Sequence, residues 1–199
     1  GANEIQLEKG ATDRTITISA ISNATTAVGT YTVQAGDVSA DLTAASVSTT
    51  GQIKDAALNV MNDFTIGTNL AATSAILIET TPPTITNITS DKPNGTYGVN
   101  EAINIIVTFD EAVTMSGAGA KLSVVLETGA TDATIDINTI SNSTIGKGVY
   151  TVAVDHTTAG ARLEAKSPLT LAGTIKDQAG NEIVTLAIPN GQNLDDLKN

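Results

Sequence analysis

Short stretches in which apolar and polar residues alternate run along this chain, and the clearest lie in its second half. INIIVTFD (103–110) sets Ile103, Ile105, Val107 and Phe109 two apart, on one face of a strand. KLSVVLE (121–127) does the same with Leu122, Val124 and Leu126. PTITNIT (83–89), ATIDINTI (133–140), VYTVAVD (149–155), LTLAGTIK (169–176) and EIVTLAI (182–188) bring the predicted strands to seven, parted by turns rich in Gly, Asn and Pro. The prolines of TTPP (80–83) fix backbone angles ahead of the first strand and bar helix there. No stretch of ten residues or more shows helical periodicity, AGARLEAK (159–166) coming nearest. The pattern predicts an all-β fold, a seven-stranded immunoglobulin-like β-sandwich.

The pattern also repeats. EIQLEKGATDRT (4–15) aligns with SVVLETGATDAT (123–134), and Asp13 against Asp132 gives an offset of 119. The match continues through AISN (20–23) with TISN (139–142) and TYTV (30–33) with VYTV (149–152). IKDAALN (53–59) then matches IKDQAGN (175–181), where the offset has grown to 122. Thr81 to Leu122 have no counterpart earlier in the sequence. Residues 1–80 are therefore expected to be the C-terminal part of one repeat plus a linker, and 81–199 a nearly complete second repeat. On this reading the first sandwich lacks its two N-terminal strands, one of them equivalent to the apolar INIIVTF. An open edge of that kind exposes unpaired backbone groups. Three outcomes satisfy the chemistry: another chain donates strands, the partial repeat packs differently, or part of it stays disordered.

Composition narrows the class. The chain has 199 residues, 41% hydrophobic but only 3% aromatic, so its cores must be aliphatic. It has no Cys and no Trp. A formal charge of −11 argues against binding nucleic acid or an anionic membrane surface, both of which want basic patches. No run reaches the roughly 18 apolar residues that a membrane span needs, and no charged-then-apolar leader opens the chain.

The negative charge suits divalent cations. In an up-and-down sandwich, the entry linker, the turn after the second strand and the turn after the sixth share one pole. Those stretches carry Glu79 and Thr80, then Asp110 and Glu111, then Asp177 and Asn181. Four carboxylates and an amide are thus predicted to converge, a donor set fit for calcium, which takes about six to eight oxygen ligands. The competing reading makes them solvated turn acids, with Asp177 and Asn181 bonding locally. Asp13, Asp37 and Asp41 of the first repeat are a further expected contribution at this joint. Asp55 and Asn59 match Asp177 and Asn181, but Leu58 stands where Gly180 sits, so a different turn and no complete site are expected there.

Taken together, TTPPTITNITSDKPNGTYGVNEAINIIVTFDEAV (80–113), YTVQAGDVSADL (31–42) and TIKDQAGN (174–181) resemble the long arrays of immunoglobulin-like repeats in large bacterial surface adhesins. That group includes repeat-in-toxin adhesins and some surface-layer proteins. The resemblance implies secretion to the bacterial cell surface, tandem stacking against neighbouring repeats, and calcium at linkers between domains. The family's acidic positions fall on Glu79, Asp110, Glu111 and Asp177, with Glu79 standing where such linkers often carry Asp. The function this implies is that of a structural extender, or stalk, in a cell-surface adhesin. The alternatives are a surface-layer or fibre-forming subunit, which would pair edge strands between copies, and a non-catalytic spacer in a secreted polysaccharide-degrading enzyme.

An enzyme is not expected. The chain has one histidine, His156, no cysteine and no G-x-S-x-G elbow, so nucleophilic catalysis lacks its parts. His156 reads as a solvated loop residue. Asp110 and Glu111 occupy adjacent strand positions and point to opposite faces, which suits glycoside chemistry poorly. A sugar platform needs exposed aromatic faces; Tyr31 and Tyr150 hold equivalent, buried strand positions, leaving Tyr97 as the only free candidate.

Overall fold

The computed structural model describes residues 2–10 and 12–194. Among these, the regular structure is nine strands in antiparallel pairs and one short 3-10 turn, Leu70–Ala72. Among the described residues no helix is long and apolar enough to cross a membrane. The chain divides into two units, Gly1–Thr81 and Pro82–Asn199, with the boundary inside the TTPP run.

The second unit is organised by one long strand. INIIVTFD and KLSVVLE, predicted as separate strands, belong to a single 26-residue strand β5 (Ala102–Glu127). Its first half pairs with β4 (Ile85–Ser90) and β7 (Ser143–Thr151). Its second half pairs with β6 (Ala133–Ile137), β8 (Glu164–Ala165) and β9 (Thr170–Lys176). One strand therefore serves two antiparallel sheets, as happens where strands turn a corner by bulges. The register to β7 shifts between Thr108 and Val113, and the register to β9 between Ser116 and Lys121. Gly117 and Gly119 in the second bulge adopt φ of +124° and +67°, which bulges residues 117–120 outward while the ladder to β9 continues on both sides.

The predicted alternation is what fills the core. Ile105, Val107, Leu122, Val124, Leu126 and Ile137 are fully buried, with Ile103, Phe109 and Ile135 nearly so. Six strands stand where seven were expected, for three local reasons. The two halves of β5 merge, and β8 forms within AGARLEAK. Residues 182–188 run beside β9 without a ladder: Lys176 bridges Glu182, Ile183 N–H donates to Ile175 O at 3.0 Å, and Leu169 N–H donates to Leu186 O at 2.9 Å. β7 also begins earlier than predicted. Its Gly146 and Gly148 read as turn residues, yet they sit where the sheets touch, and a Cβ on Gly148 would lie 2.5 Å from Ile135 Cγ2.

In the first unit β1 (Asn3–Glu8) lies between β2 (Arg14–Ile18) and β3 (Thr43–Thr49). Leu7, Leu42 and Ile78 form its buried core, with Ile5, Ile16, Tyr31, Ala44 and Leu70 packed against them. Ile5 and Ile16 occupy the positions of Val124 and Ile135, but they are only half-buried. Among the described residues this unit has no counterpart of β4 or of the first half of β5, whose apolar face covers Val124 and Ile135 in the second unit.

One contact recurs in both units and was not foreseen from sequence. Asn69 accepts the Ala44 N–H at 2.8 Å through Oδ1, donates from Nδ2 to Ala44 O at 2.7 Å, and also accepts the Leu70 N–H. Asn193 does the same to Ala165, at 3.0 and 2.7 Å, and to Leu194 N–H. The repeat thus extends through GTNL (67–70) and GQNL (191–194), a further 124 residues apart.

Candidate metal centre

The two copies of the heptapeptide close the same turn. After β9, Asp177 N–H donates to Asn181 O at 3.1 Å, Asn181 N–H returns to Asp177 Oδ1 at 2.8 Å, and Asn181 Nδ2 donates to Oδ2 at 2.7 Å. Asp55 and Asn59 repeat every bond, at 3.1, 2.8 and 2.9 Å. Hydrogen bonds from the Asn59 side chain and backbone hold the Asp55 carboxyl below its ordinary value. The expected difference at Leu58 is not seen: Leu58 takes φ +71° where Gly180 takes +95°, and the turn closes identically. The reciprocal side-chain and backbone bonds outweigh the strain of a left-handed leucine.

Within the second unit, the sequence-predicted acids separate into two roles. Asp110 is tied to the start of the unit: Oδ1 accepts the Thr84 N–H at 2.8 Å, Oδ2 accepts Thr84 Oγ1 at 2.7 Å, and Asp110 N–H donates to Thr84 O at 3.1 Å. It straps the chain leaving the prolines to β5. Its neighbour Glu111 turns to the other side and brings a carboxylate oxygen within 4.8 Å of one on Asp177. Asp177 is buried at 8% exposure and Glu111 is half-buried. Before any partner is counted, two carboxylates at that separation repel by on the order of 3 kcal/mol at an effective dielectric near 20. A divalent cation between them would turn that repulsion into coordination. Asn181 orients Asp177 from behind, so its amide serves the turn before any ion.

Glu79 belongs to the first unit, where its Oε1 accepts the Thr81 N–H. Thr80 Oγ1 accepts the Gly36 N–H at 3.0 Å and donates to Asp37 O at 3.0 Å, tying the linker's first residues to the 34–37 turn.

Of the three first-unit acids expected at a joint site, Asp37 is committed elsewhere by its bonds. Asp37 is fully buried and takes hydrogen bonds or ion pairs from Lys9, Arg14, Tyr31 and the Gln34 N–H. Burial alone would push its carboxyl up; the donations from Lys9, Tyr31, Gln34 and Arg14 together hold it far below the usual carboxylate range. The same arrangement, burial first and then the bond to Asp37, pushes the Tyr31 phenol up to about 12. Asp13 accepts Gln6 Nε2 at 2.9 Å, and Asp41 accepts the Ile76 N–H at 3.3 Å. All three carboxylates are engaged inside the first unit.

His156 is not the solvated loop residue the sequence suggested. Its ring stacks on Tyr150 with centroids 5.6 Å apart, and Nδ1 lies 2.9 Å from the Tyr150 hydroxyl and accepts the Ala153 N–H at 3.3 Å. It holds the place of Asp37, six residues after the equivalent tyrosine. The shared Tyr-x5 spacing of 31–37 and 150–156 was the signal in the sequence. Tyr97 is engaged as well: its hydroxyl donates to Pro93 O at 2.6 Å, and Lys92 Nζ lies 5.7 Å from its ring. Against known proteins, no family model, no curated protein and no solved structure matches this chain.

Proposed function

We propose that this chain is an extender segment of a bacterial cell-surface adhesin, two consecutive immunoglobulin-like repeats whose junction is stiffened by calcium. The observation that carries the reading is the meeting of Glu111 with the buried, clamped Asp177, two acids 66 positions apart in sequence that belong to one unit. Supporting it, the Asp-Asn turn, the Asn clamp and the Tyr-x5 pair recur bond for bond in both halves of the chain. Glu111 and Asp177 are the assigned calcium ligands of the second unit, with Asp110 and Asn181 positioning them. Glu79, three residues before Pro82, is assigned as the linker's ligand on sequence alone. A cation held by linker and domain together resists hinge motion, because bending must break coordination. The role is mechanical, with no catalytic step, and the partners are neighbouring repeats.

The test is calcium titration of the intact chain by calorimetry, beside melting curves in calcium and in chelator. Calcium should bind and raise the melting temperature by mass action on the folded state, and chelation should broaden the range of dimensions seen by solution scattering. Glu111→Gln removes one charged ligand and should weaken binding by about tenfold or more. Identical melting and scattering with calcium and with chelator would exclude the calcium junction. A second reading, a fibre- or lattice-forming subunit, is favoured by the apolar side chains that the first unit leaves exposed, among them Val28, Leu58 and Leu77. Assembly that grows with protein concentration would select it.

A further inference from the structure

Where the chain enters the second unit, its first strand is fastened along its whole length. Thr84, just ahead of β4, shares backbone and side-chain bonds with Asp110. Thr86 Oγ1 donates to Thr108 O at 3.1 Å, and the ladder to β5 runs from Ile85 opposite Phe109 to Ser90 opposite Ile105. On the other side of β4, Ile88 N–H donates to Gln192 O at 2.9 Å. Ile85 and Ile88, 3% and 0% exposed, are seated in the core. A slip of β4 by one residue would turn both of them outward. A slip of two would carry the bulge between Ile85 and Asn87 against a part of β5 that does not match it.

The two ends of this unit are marked by residues already placed. Asp110, with Glu111 and Asp177 beside it, stands at the end where the chain comes in. Ser90, Ile103, Tyr150, His156 and Leu194 gather at the other. In the first unit Thr80, at the start of the linker, is bonded to Asp37, which holds the place of His156. A repeat therefore takes the chain in at the Asp110 end and passes it on at the His156 end. β4 lies along the line between them, with Thr84 at the first end and Ser90 at the second.

From this geometry we infer that β4 is a tension-bearing clamp, loaded in shear, with the Thr84–Asp110 bonds as its lock. The direction of the load rests on the tandem-array reading proposed above. Tension arriving through Pro83 pulls β4 along its own axis. The ladder bonds lie across that axis, so they share the load and must fail together, whereas a strand lifted from one end loses them one at a time. Thr84 stands first in line. Its bonds to a carboxylate give the pulled end a firmer hold than a neutral backbone pair would. Asp110 thereby has a mechanical role that needs no ion.

The experiment holds single molecules of the intact chain at constant force, in chelator, and measures how long the second unit survives. The sequence has no cysteine, so introduced ones fix the two points of pull. Thr81→Cys with Val154→Cys pulls lengthwise, Val154 being exposed and just past the far end of β7. Thr81→Cys with Ala179→Cys pulls across the entry end, in the turn that carries Asp177. Survival under force is governed by the unfolding rate. The lengthwise pair should outlast the crosswise pair by at least about tenfold, since several bonds must break at once. Thr84→Val removes the Oγ1 bond to Asp110 and should shorten the lengthwise lifetime about tenfold. Gly180→Leu weakens the unit away from β4 and should leave that lifetime unchanged. Equal lifetimes in the two directions overturn the inference. So does a Gly180→Leu effect as large as that of Thr84→Val, which would make the strap an ordinary contributor to stability. Chelator is present throughout, so a failed clamp beside an intact calcium response removes only this inference, and directional lifetimes without a calcium response remove only the calcium junction.

Discussion

Leu58 and Gly180 hold the same place in the same turn, both left-handed, and only one of them suits it. A non-glycine residue there costs about 1–2 kcal/mol, partly offset by the extra freedom glycine has when unfolded. Leu58 is 75% exposed, so its side chain gives little back. Leu58→Gly should therefore stabilise the first unit by about 0.5–1 kcal/mol, and Gly180→Leu should destabilise the second by about 1 kcal/mol, both measured by urea unfolding. Asp37 supplies a pH dependence. Its carboxyl lies below the ordinary value of 3.8 only in the folded state, so the stability it lends is full above that value and drains away as pH falls below it. The first unit's melting temperature should drop on acidification from pH 4 downward, and the double variant K9M/D37N should flatten that slope. An unchanged slope in the variant would assign the acid sensitivity to other carboxylates, such as Asp55 and Asp63, which are also held low. Of the candidate site residues, the sequence placed Asp177 and Asn181 in one turn correctly. It set Asp110 and Glu111 on opposite faces but not which of them meets Asp177, because which neighbour faces Thr84 depends on how β4 lies against β5.

At the scale of elements, period-two alternation identified the buried faces of both halves of β5 but not where strands begin and end. A bulge leaves the alternation on either side intact, so β5 read as two strands. Conversely, Gly146 and Gly148 look like a turn until Ile135 and Ile137 are known to press on them. The Asn clamp escaped notice since its two partners, Ala165 and Asn193, lie 28 residues apart. Asn193→Ala would strand a buried N–H and C=O of Ala165 and should cost the second unit about 2–3 kcal/mol in urea unfolding. Asn69→Ala, at a more exposed site, should cost the first unit about 1 kcal/mol.

For the whole molecule, the two units should unfold separately. Among the described residues, three buried apolar side chains form the core of the first, against twenty in the second, so the first buries less apolar area. Calorimetry should show two transitions, the lower one shifting with acid and with Leu58→Gly, the upper one with Asn193→Ala; one cooperative transition responding to all three would contradict this. The sequence by itself determined the all-β class, the apolar faces and the internal duplication, because these rest on residue type at fixed spacing, which chain geometry alone converts into structure. Only the tertiary structure decided that Asp37 is walled in by Lys9 and Arg14, that His156 stacks on Tyr150, and that Glu111 rather than Asp110 meets Asp177. Each of those depends on which distant segment packs alongside, and no local pattern encodes a neighbour brought in by the fold.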